Sequence, residues 1–412
     1  MIIDTLAESS VAFEASQYHK QHQWVAIHMN TTKLDNWREP ENSQYSFQNM
    51  QDLIACANIS DPLPSASGKK ANNLAAAPDM QATDGNQVSF ETWLESSHTD
   101  GMLVLLRGEP VLRWHAPHYN PANPHVVFSV SKSITAVLAG ILQDVGKLDL
   151  EAPVQEYITE IASSGYGRCT VRHLLDMTAA IDFDESYLDK TGQFARYRSS
   201  TGWNPVIPGF ENETLRTFLA DMKASGDPHG EVFKYLSPNS DLLGWVCENA
   251  AGMSYNEALA KYLWCPMGGT ERAMVTIDQA GTARAAGGIC ATLDDLARIG
   301  ELLRLDGQAN NRTVVSADWV SDTRQGGDRQ AWLKGDFIEL LPNGKYRNKW
   351  YQVGNDSEAF AAIGIHGQWI YVDPLHEMTL VKLSSQPKPL MMELDLNQLV
   401  GFDRLGESLT DS

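Results

Sequence analysis

The pattern of apolar and polar positions divides the chain into strand-rich ends and a helical middle. Residues 101–116, "GMLVLLRGEPVLRWHA", place two apolar runs about the turn at Gly108-Glu109-Pro110, which predicts a β-hairpin. Near the other end, "HGQWIYVDP" and "MTLVKLSS" alternate apolar and polar residues and are joined by a short turn at Leu375–Glu377. Both ends therefore contribute strands.

Apolar residues at three-to-four spacing predict helices between these ends. A run over 131–145, stopped by Gly146, predicts a buried helix, and 293–305 predicts an amphipathic one. The middle of the chain contains four more such segments: 171–178, 213–225, 239–252 and 255–264. In contrast, 181–210 is long and without periodicity, which is typical of a lid or binding loop.

This order predicts an α/β (α+β) fold, in which an antiparallel sheet is flanked by helices and an all-helical domain is inserted. We assign 76–150 and 286–412 to the α/β domain. The inserted helical domain is 151–285, with a substrate loop at about 181–210. Residues 1–75 are polar and aromatic-rich, which favours an extended N-terminal arm.

Composition and charge narrow the class of protein. The chain has 412 residues, of which 43% are hydrophobic, and its net charge of −20 argues against nucleic acid or an anionic membrane as partner. Its five cysteines are dispersed, without disulfide or metal-ligand spacing, which favours a reducing compartment. Asp4 and Glu8 stand where a signal peptide needs basic and apolar residues, and no long apolar span occurs. We therefore expect a cytoplasmic protein without a metal or cofactor.

The helix that begins near 131 opens with Ser129 and Lys132, which share one helical face. A hydroxyl beside a lysine in apolar surroundings suits a nucleophile and its base, because burial disfavours the ammonium form. The helix N-terminus would favour the oxyanion of an attacked carbonyl. The alternative is that Ser129 only caps the helix and Lys132 reaches solvent. This stretch alone leaves both open.

The same Ser-x-x-Lys spacing occurs at Ser67/Lys70 and Ser385/Lys388, both in polar loops, and there we expect no chemistry. Further candidate chemistry lies downstream. Tyr235 and Ser237 precede a helix in "YLSPNSDLLGWV", and His366-Gly367-Gln368 begins a strand. Gly367 would let a substrate approach the strand backbone closely.

These motifs together resemble a known group of enzymes. "SVSKS", "DMTAAIDFDESYLD", "STGW", "YLSPNSDLLGWV", "GGIC", "DLARIG" and "GIHGQWIYVDP" match, in this order, the serine hydrolases of the class C β-lactamase and DD-peptidase fold. Within that group the chain most resembles the 6-aminohexanoate-dimer hydrolases and their carboxylesterase relatives. The similarity runs from about 34 to about 390, nearly the whole chain.

The resemblance implies a role for each matching residue. Ser129 would be the nucleophile, Lys132 its base, and Tyr235 the group that passes a proton to the leaving group. The backbone N–H groups of Ser129 and Ile365 would form the oxyanion hole. The substrate would be bound by residues of the pocket and its lid, which are Tyr187, Trp203, Tyr351, His366, Gly367 and Arg198. His366 is more often a group that orients the strand backbone and Tyr235 than a general base.

Two departures from the pattern bear on the substrate. Lys190-Thr191-Gly192 spells a β-lactamase motif, but it precedes Tyr235 and lacks a strand, so we interpret it as an ordinary turn. Strong β-lactamase activity is therefore not expected. Amidase-proficient relatives carry an acidic residue and an asparagine where this chain has Arg198 and Ala286, and Arg198 would repel a substrate ammonium. We expect esterase action to exceed hydrolysis of the aminohexanoate dimer.

Two other functions stay open at this point. One is a D-amino-acid peptidase or weak β-lactamase of the penicillin-binding type, and the other is a catalytically silent ligand-binding domain on the same scaffold. The leading interpretation is a serine hydrolase acting on a small-molecule ester or linear amide, including 6-aminohexanoate oligomers, without nucleic acid or membrane partners. Whether the chain forms a homodimer is left open.

Overall fold

The computed structural model of the chain describes residues 28–62, 77–187 and 189–410. The α-helices whose bounds lie in these ranges are α1 (Pro40–Ser46), α2 (Phe90–Ser96), α3 (Val130–Asp144), α4 (Val171–Leu175), α5 (Gln193–Ser200), α6 (Leu215–Asp221), α7 (Ser237–Ala251), α8 (Tyr255–Leu259), α9 (Cys265–Met267), α10 (Leu293–Arg304), α11 (Ala317–Gln325), α12 (Arg329–Leu333) and α13 (Met392–Thr410). The strands are β1 (Cys56–Ser60), β2 (Met80–Gln81), β3 (Gln87–Val88), β4 (Thr99–Leu106), β5 (Glu109–His115), β6 (His125–Val126), β7 (Ala273–Thr276), β8 (Ile289–Ala291), β9 (Gln308–Ala309), β10 (Arg312–Thr313), β11 (Lys345–Arg347), β12 (Trp350–Gln352), β13 (Phe360–Gly364), β14 (Gln368–Asp373) and β15 (Met378–Ser384).

The main sheet has seven antiparallel strands in the order β11-β12-β13-β14-β15-β4-β5. It contains the predicted hairpin, β4 and β5, and the predicted C-terminal pair, β14 and β15. Because β15 pairs with β4, strands from the two ends of the chain lie side by side. The antiparallel sheet made from both ends is therefore confirmed.

Helices cover both faces of this sheet. Gly300 of α10 lies so close to β15 that an added Cβ would stand 2.5 Å from Cγ2 of Thr379. On the other face, Phe402 of α13 contacts the rings of Trp369 and Tyr371. Every residue of β14 and β15 is consequently buried. The main sheet is thus a core layer between helices.

A second sheet of four strands, in the order β1-β7-β8-β6, was not predicted from the sequence. Its strand β1 lies in the segment interpreted as an arm, and β7 lies in the segment interpreted as all-helical. Residues 28–62 pack into the molecule, since Trp37 and Phe47 are fully buried. The extended-arm interpretation therefore fails for this part, while the boundaries of the predicted domains stay a prediction.

The helices in the middle of the chain position the residues of the candidate site. Helix α3 is buried along most of its length and packs against α7, so its first turn is held rigidly. The stretch 181–210 is not wholly irregular, because α5 occupies its middle. None of the helices in the described ranges combines the length and apolar character needed to cross a membrane.

Candidate active site

The candidate nucleophile, Ser129, stands at the entrance of α3. Phe128 before it has φ +44°, an uncommon conformation for a residue with a side chain. This backbone is held by packing, because the Phe128 ring contacts the rings of Trp37, Phe47 and Trp203. Strained conformations of this kind persist where surrounding structure determines them. Ser129 makes no side-chain capping hydrogen bond, so the capping alternative is wrong.

Lys132 lies directly beside this hydroxyl. Its Nζ is 2.7 Å from Ser129 Oγ and also donates to the carbonyl oxygen of Ala286 at 2.7 Å. The side chain is buried, so the alternative that it reaches solvent is wrong as well. The pKa of Lys132 is lowered to about 8, chiefly by burial and also by the charge of Arg284, while the charge of Glu185 opposes the shift. At neutral pH a much larger fraction of this amine is therefore neutral than of a solvated lysine.

The carbonyl that Lys132 uses is fixed by a buried ion pair that the sequence did not reveal. Asp241 accepts a hydrogen bond from the Ala286 backbone N–H at 2.7 Å. The same carboxylate pairs with Arg284 at 2.9 Å and accepts from the hydroxyl of Tyr197. By binding the N–H of Ala286, Asp241 thus fixes the residue whose carbonyl oxygen accepts the hydrogen bond from Lys132. No periodic signal marks such a charge, since it sits inside the apolar helix α7.

Tyr235 completes the predicted triad. Its ring lies under Lys132, whose Nζ is 5.0 Å from the ring centroid, and hydrogen bonding with the hydroxyls of Ser129 and Tyr351 partly offsets the effect of burial on the pKa of Tyr235. Burial raises the pKa of Tyr235, so the phenol stays protonated and can donate. Its backbone N–H donates to Asp336 at 2.8 Å, which ties the start of α7 to the loop near 336.

A carboxylate that was not singled out from the sequence, Glu185, lies behind this triad. It accepts hydrogen bonds from the hydroxyl of Ser237 at 2.6 Å and from the hydroxyl of Tyr187 at 3.0 Å. The Ser237 backbone N–H donates to it as well. Its charge acts on Lys132, as the opposing effect on the lysine pKa shows. Glu185 therefore links Tyr187 to the first turn of α7.

The strand end β13 approaches the nucleophile from the other side. Gly364 lies so close that an added Cβ would be 2.7 Å from the Val127 carbonyl oxygen. This contact places Ile365 beside Ser129, and both residues line the same cavities. The positions of these two residues are compatible with the predicted oxyanion hole, which stays a prediction.

His366 and Gly367 have a structural explanation. His366 Nδ1 donates to the Gln386 carbonyl oxygen at 2.6 Å, and burial lowers its pKa to about 4, so the ring is neutral. This hydrogen bond fastens the turn after β13, and the ring of His366 contacts those of Phe47 and Phe128. Its orienting effect on Tyr235 stays a prediction. An added Cβ at Gly367 would stand 2.5 Å from Nε2 of Gln386. A φ of +84° and this close packing both favour glycine at position 367. Close approach of a substrate there stays a prediction.

A main pocket of about 550 Å³ opens in front of Ser129. It is lined by seven of the predicted site residues: Ser129, Lys132, Tyr187, Arg198, Trp203, Ile365 and His366. Tyr235 and Tyr351 line an adjoining small cavity that also reaches Ser129. Gly367 lines neither. The pocket also contains Lys190 and Lys388, where the sequence interpretation expected no chemistry, and the buried Arg284, which it did not name.

Two of the other matches to catalytic motifs have structural contacts at their serine or turn residues. Ser385 is buried and donates to Asp100 at 2.8 Å, while Ser67 and Lys70 lie outside the described residues. Thr191 and Gly192 form a turn whose N–H groups donate to Asp189, so the Lys-Thr-Gly triplet is an ordinary turn as predicted. In the described ranges no group of three His, Cys, Asp or Glu side chains is placed to hold a metal.

The fold and this serine–lysine site define the class of protein. Residues 90–402 match the Beta-lactamase family, and the chain belongs to that family. It is 35% identical over 356 residues to the 6-aminohexanoate-dimer hydrolase of Paenarthrobacter ureafaciens, a match that covers 86% of this chain and 88% of that protein.

Solved structures support the same fold. A Bacillus anthracis protein with a provisional assignment as 6-aminohexanoate-dimer hydrolase superposes with a TM-score of 0.83, at 22% identity, over 93% of this chain and 98% of its own. A family VIII carboxylesterase superposes with a TM-score of 0.56, at 14% identity, over 77% of this chain and 95% of its own. The predicted fold class is confirmed, as is the resemblance to this hydrolase group.

Proposed function

We propose that this chain is a serine hydrolase that forms an acyl-enzyme and cleaves small carboxylic esters and linear amides. The observation that carries this proposal is the 2.7 Å distance between Lys132 Nζ and Ser129 Oγ at the mouth of the pocket. A buried amine with a pKa of about 8 can accept the hydroxyl proton, which a solvated lysine cannot do at neutral pH.

In the first step, Ser129 Oγ attacks the substrate carbonyl carbon while its proton passes to neutral Lys132. The carbonyl oxygen takes the negative charge, and the backbone N–H groups of Ser129 and Ile365 stabilise it. The N-terminus of α3 adds partial positive charge at the same place.

In the second step, the C–O or C–N bond breaks and the leaving group takes a proton from Tyr235. The phenol suits this task because its raised pKa keeps it protonated. Tyr235 is reprotonated from Lys132, whose Nζ lies over its ring. Water then attacks the acyl-enzyme in the reverse sense, and the carboxylic acid leaves.

Amide cleavage needs more help than ester cleavage, because an amine is a poor leaving group. The name of the Paenarthrobacter relative points to a linear amide, the 6-aminohexanoate dimer. In this chain Arg198 lines the main pocket, where it would repel a substrate ammonium. Ester substrates are therefore proposed as the better ones, with the aminohexanoate dimer as a poor one.

The experiment is hydrolysis of p-nitrophenyl acetate and butyrate, together with labelling by a fluorophosphonate and mapping of the modified peptide. The expected label is on Ser129, and Ser129→Ala should lose both label and turnover. Ser385→Ala is the matched control, since that serine has the same Ser-x-x-Lys spacing but donates to Asp100. Absence of label and turnover in the wild-type protein would favour the silent binding domain. Label on another serine would overturn the assignment.

A further inference from the structure

Three arginines from separate parts of the chain meet in the main pocket. Arg38 comes from the N-terminal segment, Arg198 from α5, and Arg284 from the loop before β8. The protein as a whole carries a net charge of −20, so this concentration of positive charge is local. Asp35 and Glu39 also line the pocket.

The hydrogen bonds of these arginines leave two of the three without an ion pair. Arg284 pairs with Asp241. Arg38 donates to the side-chain oxygen of Asn204, and Arg198 donates to the Asp189 carbonyl oxygen at 3.0 Å. Within the described ranges, neither Arg38 nor Arg198 has a carboxylate at ion-pair distance. Nη1 of Arg38 and Nε of Arg198 are buried there without a hydrogen-bond partner.

Arg38 stacks over the ring of Trp37 and Arg198 over that of Phe194, but within the described ranges neither guanidinium has an anionic partner. Guanidinium groups partly removed from water gain from such a partner, and like charges nearby add to the cost of leaving them without one. The pKa of Arg38 reflects this cost. Burial and the charges of Arg198 and Arg284 lower it to about 9, although the charge of Glu39 acts in the opposite direction. A carboxylate between Arg38 and Arg198 would satisfy both guanidinium groups, which bind carboxylates through two parallel hydrogen bonds.

The position of Tyr235 tells which half of the substrate enters this pocket. Tyr235, which gives its proton to the leaving group, does not line the main pocket. It lines the small cavity that also reaches Ser129 and a side cavity of about 880 Å³. Among the described residues, the side cavity is lined by no arginine but by Lys234 and by the carboxylates of Asp182, Asp184, Glu185, Asp336 and Glu339. The leaving group therefore departs towards the side cavity, and the acyl group occupies the main pocket with the arginines.

We propose that Arg38 and Arg198, backed by Arg284, bind a carboxylate at the far end of the acyl chain. The substrate class is then a half-ester or half-amide of a linear dicarboxylic acid. This polarity is opposite to that of the 6-aminohexanoate dimer, in which the acyl half ends in an ammonium. The inference rests on the proposed acyl-enzyme function and specifies its substrate.

The test compares p-nitrophenyl esters that differ only in the end of the acyl chain. These are the adipate half-ester, the hexanoate ester and the 6-aminohexanoate ester, with succinate and suberate half-esters to find the best length. The wild-type protein should give a kcat/KM for the best half-ester about 10- to 100-fold above that of its neutral counterpart, as expected for charge-assisted hydrogen bonds. The amino ester should be the poorest.

Substitutions of single arginines test which of them produce the preference for the half-ester. Arg38→Gln and Arg198→Gln should each lower the half-ester to neutral-ester ratio about tenfold. Arg198→Asp should reverse the order and favour the amino ester. Arg107→Gln is the control, because Arg107 is an exposed arginine of the hairpin turn, paired with Glu377, and should leave the ratio unchanged. The ratio is measured within each variant, so a partly unfolded preparation does not bias it.

Binding of adipate to Ser129→Ala, followed by calorimetry, gives a readout that needs no turnover. Arg198→Gln in that background should weaken adipate binding about tenfold or more. If the wild-type protein is labelled at Ser129 and hydrolyses hexanoate ester but shows a ratio of one or less, the carboxylate site is overturned and the hydrolase function stands. If neither label nor turnover occurs, the hydrolase function fails, and the adipate titration still decides the anion site.

Discussion

The pH dependence of catalysis follows from the environment of Lys132. The amine must be neutral to accept the Ser129 proton, and burial lowers its pKa to about 8. Because the base is the deprotonated form, kcat/KM should fall as the pH falls through this value. About a tenth of the amine is neutral at pH 7 and about nine tenths at pH 9, so kcat/KM should rise roughly tenfold across that interval.

His366 and Tyr235, two other buried groups near Ser129, should not produce this limb, the rise of kcat/KM with pH. The pKa of His366 is lowered to about 4, so its ring is neutral throughout the interval, and that of Tyr235 is raised by burial. The charge of Glu185 favours the ammonium form of Lys132. Glu185→Gln should therefore move the limb to lower pH, whereas His366→Asn should leave its midpoint unchanged.

The assay is the initial rate of p-nitrophenyl butyrate hydrolysis at substrate concentrations below KM, from pH 6 to pH 9.5, corrected for spontaneous hydrolysis. A profile that is flat over this range, or a midpoint near 6.5, would refute the assignment of Lys132 as the base. A limb that moves to higher pH in Glu185→Gln would show that the sign of its charge effect is wrong.

Three further predictions concern the groups around this lysine. Lys132→Ala, Tyr235→Phe and their double variant should each lose activity on the order of 10³-fold, because groups that act as a unit are not additive; a double loss equal to the product of the single losses would contradict this. Tyr187→Ala should reduce turnover of an amide more than that of an activated ester, measured as kcat/KM on a matched pair, and equal losses would leave Tyr187 as a pocket wall only. Asp241→Ala should lower the free energy of unfolding by about 3–5 kcal/mol in urea titrations, because it leaves Arg284 buried and unpaired; a loss below about 1 kcal/mol would show that water replaces the carboxylate.

Local patterns predicted the parts of the fold that depend on neighbours in sequence. The hairpin β4–β5 and helices α3, α7 and α10 occur where apolar spacing placed them. Strands β1 and β7 were missed, because each is short and pairs with a segment more than 200 residues away. Their sheet is decided by tertiary pairing, which periodicity does not register.

The residues of the candidate site likewise fall into those that the local sequence indicates and those that it does not. Ser129 and Lys132 could be found because one helical turn fixes their relation, and the order of motifs then indicated Tyr235. Glu185 and Asp241 carry charges whose meaning depends on partners far away in sequence. Arg38 is a more extreme case, since it enters the pocket from the segment interpreted as an arm. Buried charges of this kind have no periodic signature.

The strand order of the main sheet has a consequence for synthesis of the protein. Strand β4 leaves the ribosome early, but one of its edges is covered only by β15, which is made almost 300 residues later. Until then the nascent chain presents an open strand edge, which is a template for wrong pairing. Such long-range closure also makes folding slow. The proposed nucleophile Ser129 is likewise translated long before Ile365, so a chain interrupted between them contains this serine but lacks one of the two N–H groups proposed to stabilise the oxyanion.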